Sequence, residues 1–299
     1  MWPALPRYFV ASPELVSALV PAYNHVGYVR ECLEALAAQT YRPLELLIAD
    51  DASSDSTADE IRAFLRENGD AFDRVVFQPH EINRGTAATL NGLLAEARGR
   101  YLFLNASDDR AAHHAITTLA GALDAVPRAA LAVGDSIIID KTGQRVYWSP
   151  DRELIANEAA ATYRTWVDYL RDVNRAGVFG PRLFGRAGTL HRVNYIPNGK
   201  LFRREAVEAV GGWRAGTFED WDLNFRLACR FPLLYVDEVL FAYRVHETNT
   251  MRDPERVAAL HAGTEAAIRR ELRNPTVWLR VMASRDIRSR LRQSMRRKR

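Results

Sequence analysis

Apolar and polar positions along this chain switch between two rhythms, and the switching marks out most of its elements. Short apolar runs at 15–20, 44–49, 74–78 and 101–104 have the length and the β-branched or aromatic content of buried strands. Between them the spacing changes to three and four. Val29, Leu33, Leu36 and Ala37 form one stripe of a helix over 26–39, Ile61, Phe64 and Leu65 lie on a second, and Leu90, Leu93, Leu94 and Ala97 face one way on a third over 86–97. Ser53, Ser54, Asp55 and Ser56 supply turn and N-cap chemistry ahead of the second helix. This β-α-β-α-β-α-β order with short connections predicts an α/β fold with a doubly wound, mostly parallel sheet and helices on both faces.

Beyond residue 110 the pattern predicts a helix over 112–125 and a hairpin of 130–140 with 144–148, turned at Lys141-Thr142-Gly143. An amphipathic helix is expected over 158–173, with Tyr163, Trp166, Val167 and Leu170 inward, then a Gly- and Arg-rich loop over 175–192. Asn198 to Phe202 precede a short helix ending at Gly211-Gly212, and Trp221, Phe225 and Ala228 place another helix over 218–228. Apolar runs at 233–236 and 239–245 return to the sheet, and from Pro254 two helices are broken near Asn274-Pro275. Residues 1–14 read as a leader, 15–250 as the main domain (15–125 and 126–250 as its halves) and 251–299 as a basic helical extension.

Three strand ends carry polar clusters: Ala22-Tyr23-Asn24, Asp50-Asp51 and Ser107-Asp108-Asp109. Right-handed crossovers bring such ends to one edge of a parallel sheet, where ligands bind. Adjacent carboxylates there suit a hard divalent cation such as Mg2+ or Mn2+. The alternative is a solvated turn in which Asp108 or Asp109 caps the next helix. Glu219, Asp220 and Asp222 crowd a helix start, where the helix dipole stabilises acids and capping is the plain explanation.

Composition narrows the classes. The chain has 299 residues, 47% of them hydrophobic and 26% charged, which is ordinary for a globular protein. No run of about eighteen apolar residues occurs, nor a secretion signal, and Cys32 and Cys229 read as reduced packing residues, so a cytoplasmic location is expected. The net charge is +4, but residues 268–299 alone carry +10, which leaves −6 on the body, so nucleic acid is not an expected partner. No Gly-x-Gly-x-x-Gly follows the first strand, which argues against a dinucleotide-dependent dehydrogenase. No Gly- and Lys-rich phosphate loop appears early, which argues against nucleotidyl transfer.

The set Val20-Pro21-Ala22-Tyr23-Asn24, Ile48-Ala49-Asp50-Asp51, Ser107-Asp108-Asp109 and Glu219-Asp220-Trp221-Asp222 resembles the family 2 glycosyltransferases, with their GT-A fold. Order and spacing match from about Val16 to His246. The resemblance implies an inverting transfer of sugar from a nucleotide-diphosphate sugar, a UDP-sugar in the first instance, to a glycan, lipid-linked or other hydroxyl acceptor in bacterial surface polysaccharide or glycan synthesis. It implies that Pro21, Ala22, Tyr23, Asn24 and Asp51 hold the base and that Ser107, Asp108 and Asp109 meet the ribose and the metal. His246 would approach the metal or pyrophosphate, and Asp220 would be the catalytic base with Glu219 beside it. Two positions depart from the family pattern. Ala106 stands where the metal motif has its first acid, leaving open which of Asp108 and Asp109 binds the ion. Leu90 stands where an Arg is usual, a role Arg84 would take over. These departures are the grounds for the alternative of a non-catalytic relative that binds a nucleotide-sugar or associates with a membrane.

At the C-terminus, Leu279, Ala283, Ile287, Leu291 and Met295 recur every four positions among many Arg. Such a helix fits an anionic membrane surface, here the inner face of the cytoplasmic membrane. The competing expectation is packing on the body or on a second subunit of a homodimer.

Overall fold

A computed structural model describes residues 14–173, 178–180 and 183–283. The expected leader, except Glu14, and the basic tail beyond 283 lie outside the described residues. β1 (Val16–Ala22), β2 (Leu44–Asp50), β3 (Arg74–Pro79) and β4 (Tyr101–Leu104) are the four strands expected from the sequence. They alternate with α1 (Val29–Ala37), α2 (Thr57–Asn68) and α3 (Thr86–Glu96). β1 pairs in parallel with both β2 and β4, and β2 with β3.

The two-residue period of these strands splits the core between the faces of the sheet. Leu19, Leu47 and Leu102 point to one side, where Leu90 and Leu93 of α3 cover them. Ala18, Val20, Leu46, Ile48 and Phe103 point to the other, under Leu33 and Leu36 of α1 and Phe64 of α2. Burying each such large side chain contributes roughly 1.5–3 kcal/mol, so a one-residue register slip would forfeit both faces at once.

The second half continues the same sheet with β5 (Arg110–Ala111), β6 (Leu131–Ile139), β7 (Arg145–Trp148), β8 (Leu154–Ile155), β9 (Lys200–Arg203) and β10 (Leu233–Arg244). The order is β3-β2-β1-β4-β9-β6-β10-β5, with β7 hung on β6 and β8 on β7. β9 is antiparallel to both β4 and β6, so β6 and its parallel neighbour β10 run the same way as β1 to β4. Helices α4 (Ala115–Ala125), α5 (Trp166–Val173), α6 (Ala187–Leu190), α7 (Arg204–Ala209), α8 (Glu219–Ala228) and α9 (Pro254–Glu271) complete the described fold, with residues 275–283 again helical.

Four expectations need correction. The helix expected over 158–173 is real only as α5. Thr162 and Tyr163 pair by backbone with Trp148, and that pairing overrides the Ala-rich helix propensity before residue 166. The helix expected from 112 begins at Ala115, because Arg110 and Ala111 pair with β10. The runs 233–236 and 239–245 are one strand, broken only by register shifts against β6. β9 was not foreseen as a strand at all. Its apolar part is only Leu201 and Phe202, too short for a periodicity signal, and its partners come from distant chain segments.

Candidate active site

β1, β2, β4 and β10 deliver their C-terminal ends to one edge of the sheet, so the residues just beyond them meet despite their distance in sequence. Ser107 and Asp108 follow β4, and His246 follows β10. His246 Nε2 lies 3.0 Å from Asp108 Oδ2. His25, in the β1–α1 loop, places its Nε2 3.8 Å from the same oxygen, and its Nδ1 is 2.8 Å from Ser107 Oγ. His25, Asp108 and His246 each offer one ligand atom, and these atoms all lie within 4.8 Å of one another. Asn249 Nδ2 lies 3.0 Å from His246 Nε2 and 3.4 Å from Asp108 Oδ2.

Asp109 is turned the other way. Its Oδ1 accepts the backbone N–H of Arg244, and it is outside the His25–Asp108–His246 group. Arg244 is fully buried; its Nε donates to the Asp108 carbonyl, it pairs with Glu31, and it lies over the Tyr28 ring. The end of β10 thus clamps the loop that carries both carboxylates. Burial and the neighbouring charge of Asp108 push Asp109 well above the usual carboxylate range. Burial also works against Asp108, yet the hydrogen bond from His246 and the proximity of His25 hold it below that range. The charge of the pair therefore rests on Asp108, the member facing the imidazoles.

The β1–α1 loop is tied to the β2–α2 loop. Asn24, at φ 55°, accepts the Ser54 N–H on Oδ1 and gives its own N–H to Ser53 Oγ. Pro21 is half-buried, Ala22 is buried, and Tyr23 is 44% exposed at the sheet edge. Asp51 is not a free carboxylate: it accepts the backbone N–H groups of Arg84 and Gly85 and bonds His80 Nδ1. Burial opposes its charge, but these bonds hold its pKa below the ordinary value. Asp51 therefore fixes the 80–85 loop that leads into α3. Arg84 contributes its backbone to this contact and leaves its side chain exposed. Leu90 is buried in the core under the sheet.

Asp220 stands in the first turn of α8. Its Oδ2 accepts from Asn194 Nδ2 at 2.7 Å and from Lys200 Nζ at 3.5 Å, and its Oδ1 accepts nothing among the described residues. Burial and the adjacent Asp220 push Glu219 up to about 7. Asp222 has a different role: it is buried and paired with Arg226 at 2.7 Å. Asp220 opens on a cavity of about 380 Å³ lined also by Asn194, Asn198, Trp166, Tyr243 and His261. Tyr243, on β10 next to Arg244, lines this cavity too, and burial together with the nearby carboxyls of Asp109, Asp108 and Asp220 raises its phenol. α9 supports the start of α8: Thr264 Oγ1 accepts the Phe218 N–H at 2.8 Å, and Trp221 meets His261 edge-on.

Sequence reasoning missed His25, Asn194 and Lys200. A lone His in a loop carries no spacing signal, and its partner Ser107 lies 82 positions away. Lys200 is only 2% exposed, yet a Lys in an unrecognised strand reads as a surface charge.

A mostly parallel sheet, with an acid–imidazole group at its carboxyl edge and a second acidic group at a helix start beyond it, is the arrangement that the resemblance to the GT-A fold implies. Comparison with known proteins makes this specific. Residues 17–211 match the model of glycosyl transferase family 2, and the chain belongs to that family. Glycosyltransferase GlyG of Streptococcus pneumoniae serotype 4 is 35% identical over 107 residues, 36% of this chain and 34% of GlyG. O-antigen biosynthesis protein RfbC of Myxococcus xanthus is 26% identical over 265 residues, 85% of this chain but 17% of RfbC. The chain thus spans a minor part of the length of these relatives. Among solved structures, the mannosyltransferase PcManGT from Pyrobaculum calidifontis, in complex with GDP-Man and Mn2+, superposes with a TM-score of 0.57 at 17% identity, covering 94% of this chain and 78% of that one. Staphylococcus aureus TarS 1–349 in complex with UDP-GlcNAc gives 0.56 at 18% identity, covering 79% and 60%. At these identities the likeness concerns the fold.

Proposed function

We propose that this chain moves a sugar from a nucleotide-diphosphate sugar, a UDP-sugar in the first instance, to a hydroxyl acceptor with inversion at the anomeric carbon, in bacterial surface polysaccharide or glycan synthesis. The observation that carries the reading is Asp220, whose Oδ2 is held by Asn194 and Lys200 while Oδ1 is left to the cavity. A hydroxyl is a poor nucleophile near neutral pH, so a fixed carboxylate oxygen must take its proton as the bond forms. Asp220 takes that proton, the acceptor oxygen bonds to the anomeric carbon, and the bond to the diphosphate breaks with its electron pair on the phosphate oxygen. Glu219, beside it, sets the local charge. The loop of Pro21, Ala22, Tyr23 and Asn24 borders the base, positioned by its bonds to Ser53 and Ser54. Asp51 acts at one remove, through the 80–85 loop.

The donor set of Asp108 and His246 fits a divalent cation: one ionised oxygen and one imidazole nitrogen, 3.0 Å apart, on a loop held by Arg244. When bound, that cation neutralises charge developing on the leaving diphosphate. Asp109 positions Arg244 and through it the loop. The kinship with RfbC and the folds of PcManGT and TarS support the reaction class. A panel of nucleotide-diphosphate sugars incubated with the protein and Mn2+ tests the reading. One donor should release its nucleoside diphosphate, faster with acceptor present, and no release from any donor would refute it.

A further inference from the structure

We infer that His25 is a third protein ligand to the divalent cation, which makes the site a two-imidazole, one-carboxylate site that selects Mn2+ over Mg2+ and binds it before any nucleotide arrives. This rests on the sugar-transfer reading only for the presence of a cation at Asp108 and His246. The geometry supplies the rest. Bonds of about 2.1 Å place neighbouring ligands of one ion about 3 Å apart and opposite ones about 4.2 Å apart. His246 Nε2 and His25 Nε2 stand 3.0 and 3.8 Å from Asp108 Oδ2, and the three ligand atoms span at most 4.8 Å. A small contraction closes the set on one ion.

Both rings are also aimed. Nδ1 of His25 is engaged by Ser107 Oγ at 2.8 Å, and Nδ1 of His246 by Thr248 Oγ1 at 2.9 Å, so in each ring it is Nε2 that faces Asp108. A metal-binding imidazole is held in just this way, through its other nitrogen. The two rings meet edge to face with centroids 5.5 Å apart, so they approach the shared centre from different directions. His25 is anchored as well, since its backbone N–H goes to Thr57 Oγ1 at 2.8 Å.

The donor chemistry decides the cation. Mg2+ demands near-ideal octahedral oxygen geometry and gives up water reluctantly, so two imidazoles suit it poorly. Mn2+ shares the taste for oxygen but, as the first of the series that rises to Cu2+, tolerates nitrogen better, and the later metals take it more readily still. A site with one or two protein ligands waits for the diphosphate to complete it; three converging ligands hold Mn2+ alone. The site also gains a mechanical link, because His25 rides on the loop that borders the nucleotide base.

The test uses the full chain with MnCl2 or MgCl2 and no nucleotide. Calorimetry should show Mn2+ binding at least tenfold tighter than Mg2+, and pulsed electron paramagnetic resonance of bound Mn2+ should show couplings to two imidazole nitrogens. His25→Ala should lose at least tenfold in Mn2+ affinity and one of the two couplings, with an unchanged melting temperature. Equal affinity for the two cations, a single nitrogen coupling, or undiminished Mn2+ binding by His25→Ala would overturn the inference. If His25→Ala fails to fold, the number of couplings in the wild-type protein decides alone. No donor is present, so failure here leaves donor turnover as a separate question.

Discussion

At the N-terminal edge of the sheet, Glu45 is fully buried and accepts from four donors: Ser17 Oγ, the backbone N–H groups of Arg98 and Gly99, and the Arg74 guanidinium. At the C-terminal edge, beyond the same strands, Asp220 is held on one oxygen and open on the other. Asp108 there faces the two imidazoles of His25 and His246. A carboxylate offers about four lone-pair sites, and Glu45 meets four donors within the fold, three on Oε1 and one on Oε2. The neighbourhood of Glu45 is also closed sterically, since a Cβ added to Gly99 would lie 2.6 Å from the Ser17 nitrogen. The contrast separates two uses of one residue type: a saturated carboxylate holds loops in place, and an unsaturated one has capacity left for a substrate.

Substitutions at the two edges should therefore fail in opposite ways. Asp220→Asn should lower transfer by roughly 10²–10⁴, the range for a lost general base. Donor affinity and melting temperature should stay near wild type, and wild-type turnover would return Asp220 to a capping role. Glu45→Ala leaves the Arg98 N–H without its acceptor and takes one partner each from Ser17, Gly99 and Arg74, which keep Gly99, Ser17 and Glu96 respectively, so unfolding by urea should show a loss of about 1–3 kcal/mol. The surviving folded fraction should still bind the donor, which a role in the site would not allow. Asp108→Asn comes next, with a loss of at least tenfold in nucleoside-diphosphate affinity when Mn2+ is present and a melting temperature close to wild type. If calorimetry shows equal affinity with and without the cation, the open edge holds no metal.

The smallest effect concerns Glu219, which burial and Asp220 push up to about 7. A carboxyl whose folded pKa is raised is at ease while protonated, so its contribution is intact below the unfolded value of about 4.3 and is lost as pH rises through 7. Glu219→Gln stays neutral throughout. The two proteins should melt alike near pH 4.5, and the variant should melt a few degrees higher at pH 8. A constant gap across that range would show that the shift is absent.

The sequence made the open edge legible in part, and for physical reasons. Strands β1, β2 and β4 announce themselves because burial on both faces demands long apolar runs, the half-buried edge strand β3 shows only Val75-Val76-Phe77, and an acid directly after such a run is conspicuous. That logic found Asp51, Asp108 and Asp109, but it did not separate them. Asp51 and Asp109 spend their oxygens on backbone N–H groups of Arg84, Gly85 and Arg244, and such contacts depend on loop paths that no local pattern encodes. Lys200 was hidden by β9, whose strand character comes from β4 and β6 on either side and not from its own four residues. Ala106 looked like a missing ligand, but the structure brings His25 to Asp108 from another element.

The grip of α9 on the start of α8 has a consequence for anyone recombining such enzymes. The family match ends at 211, but Asp220 lies after it, and the turn that carries Asp220 is fastened by Thr264 and by the Arg214–Glu271 pair. The approach is so close that a Cβ on Gly263 would meet the Gly216 carbonyl oxygen at 1.8 Å. A chimera joined at the edge of the family match would keep the proposed donor loops and set them beside a foreign counterpart of Asp220. The exchangeable cassette runs through residue 271, and swaps of acceptor preference should travel with α9 as part of the cargo.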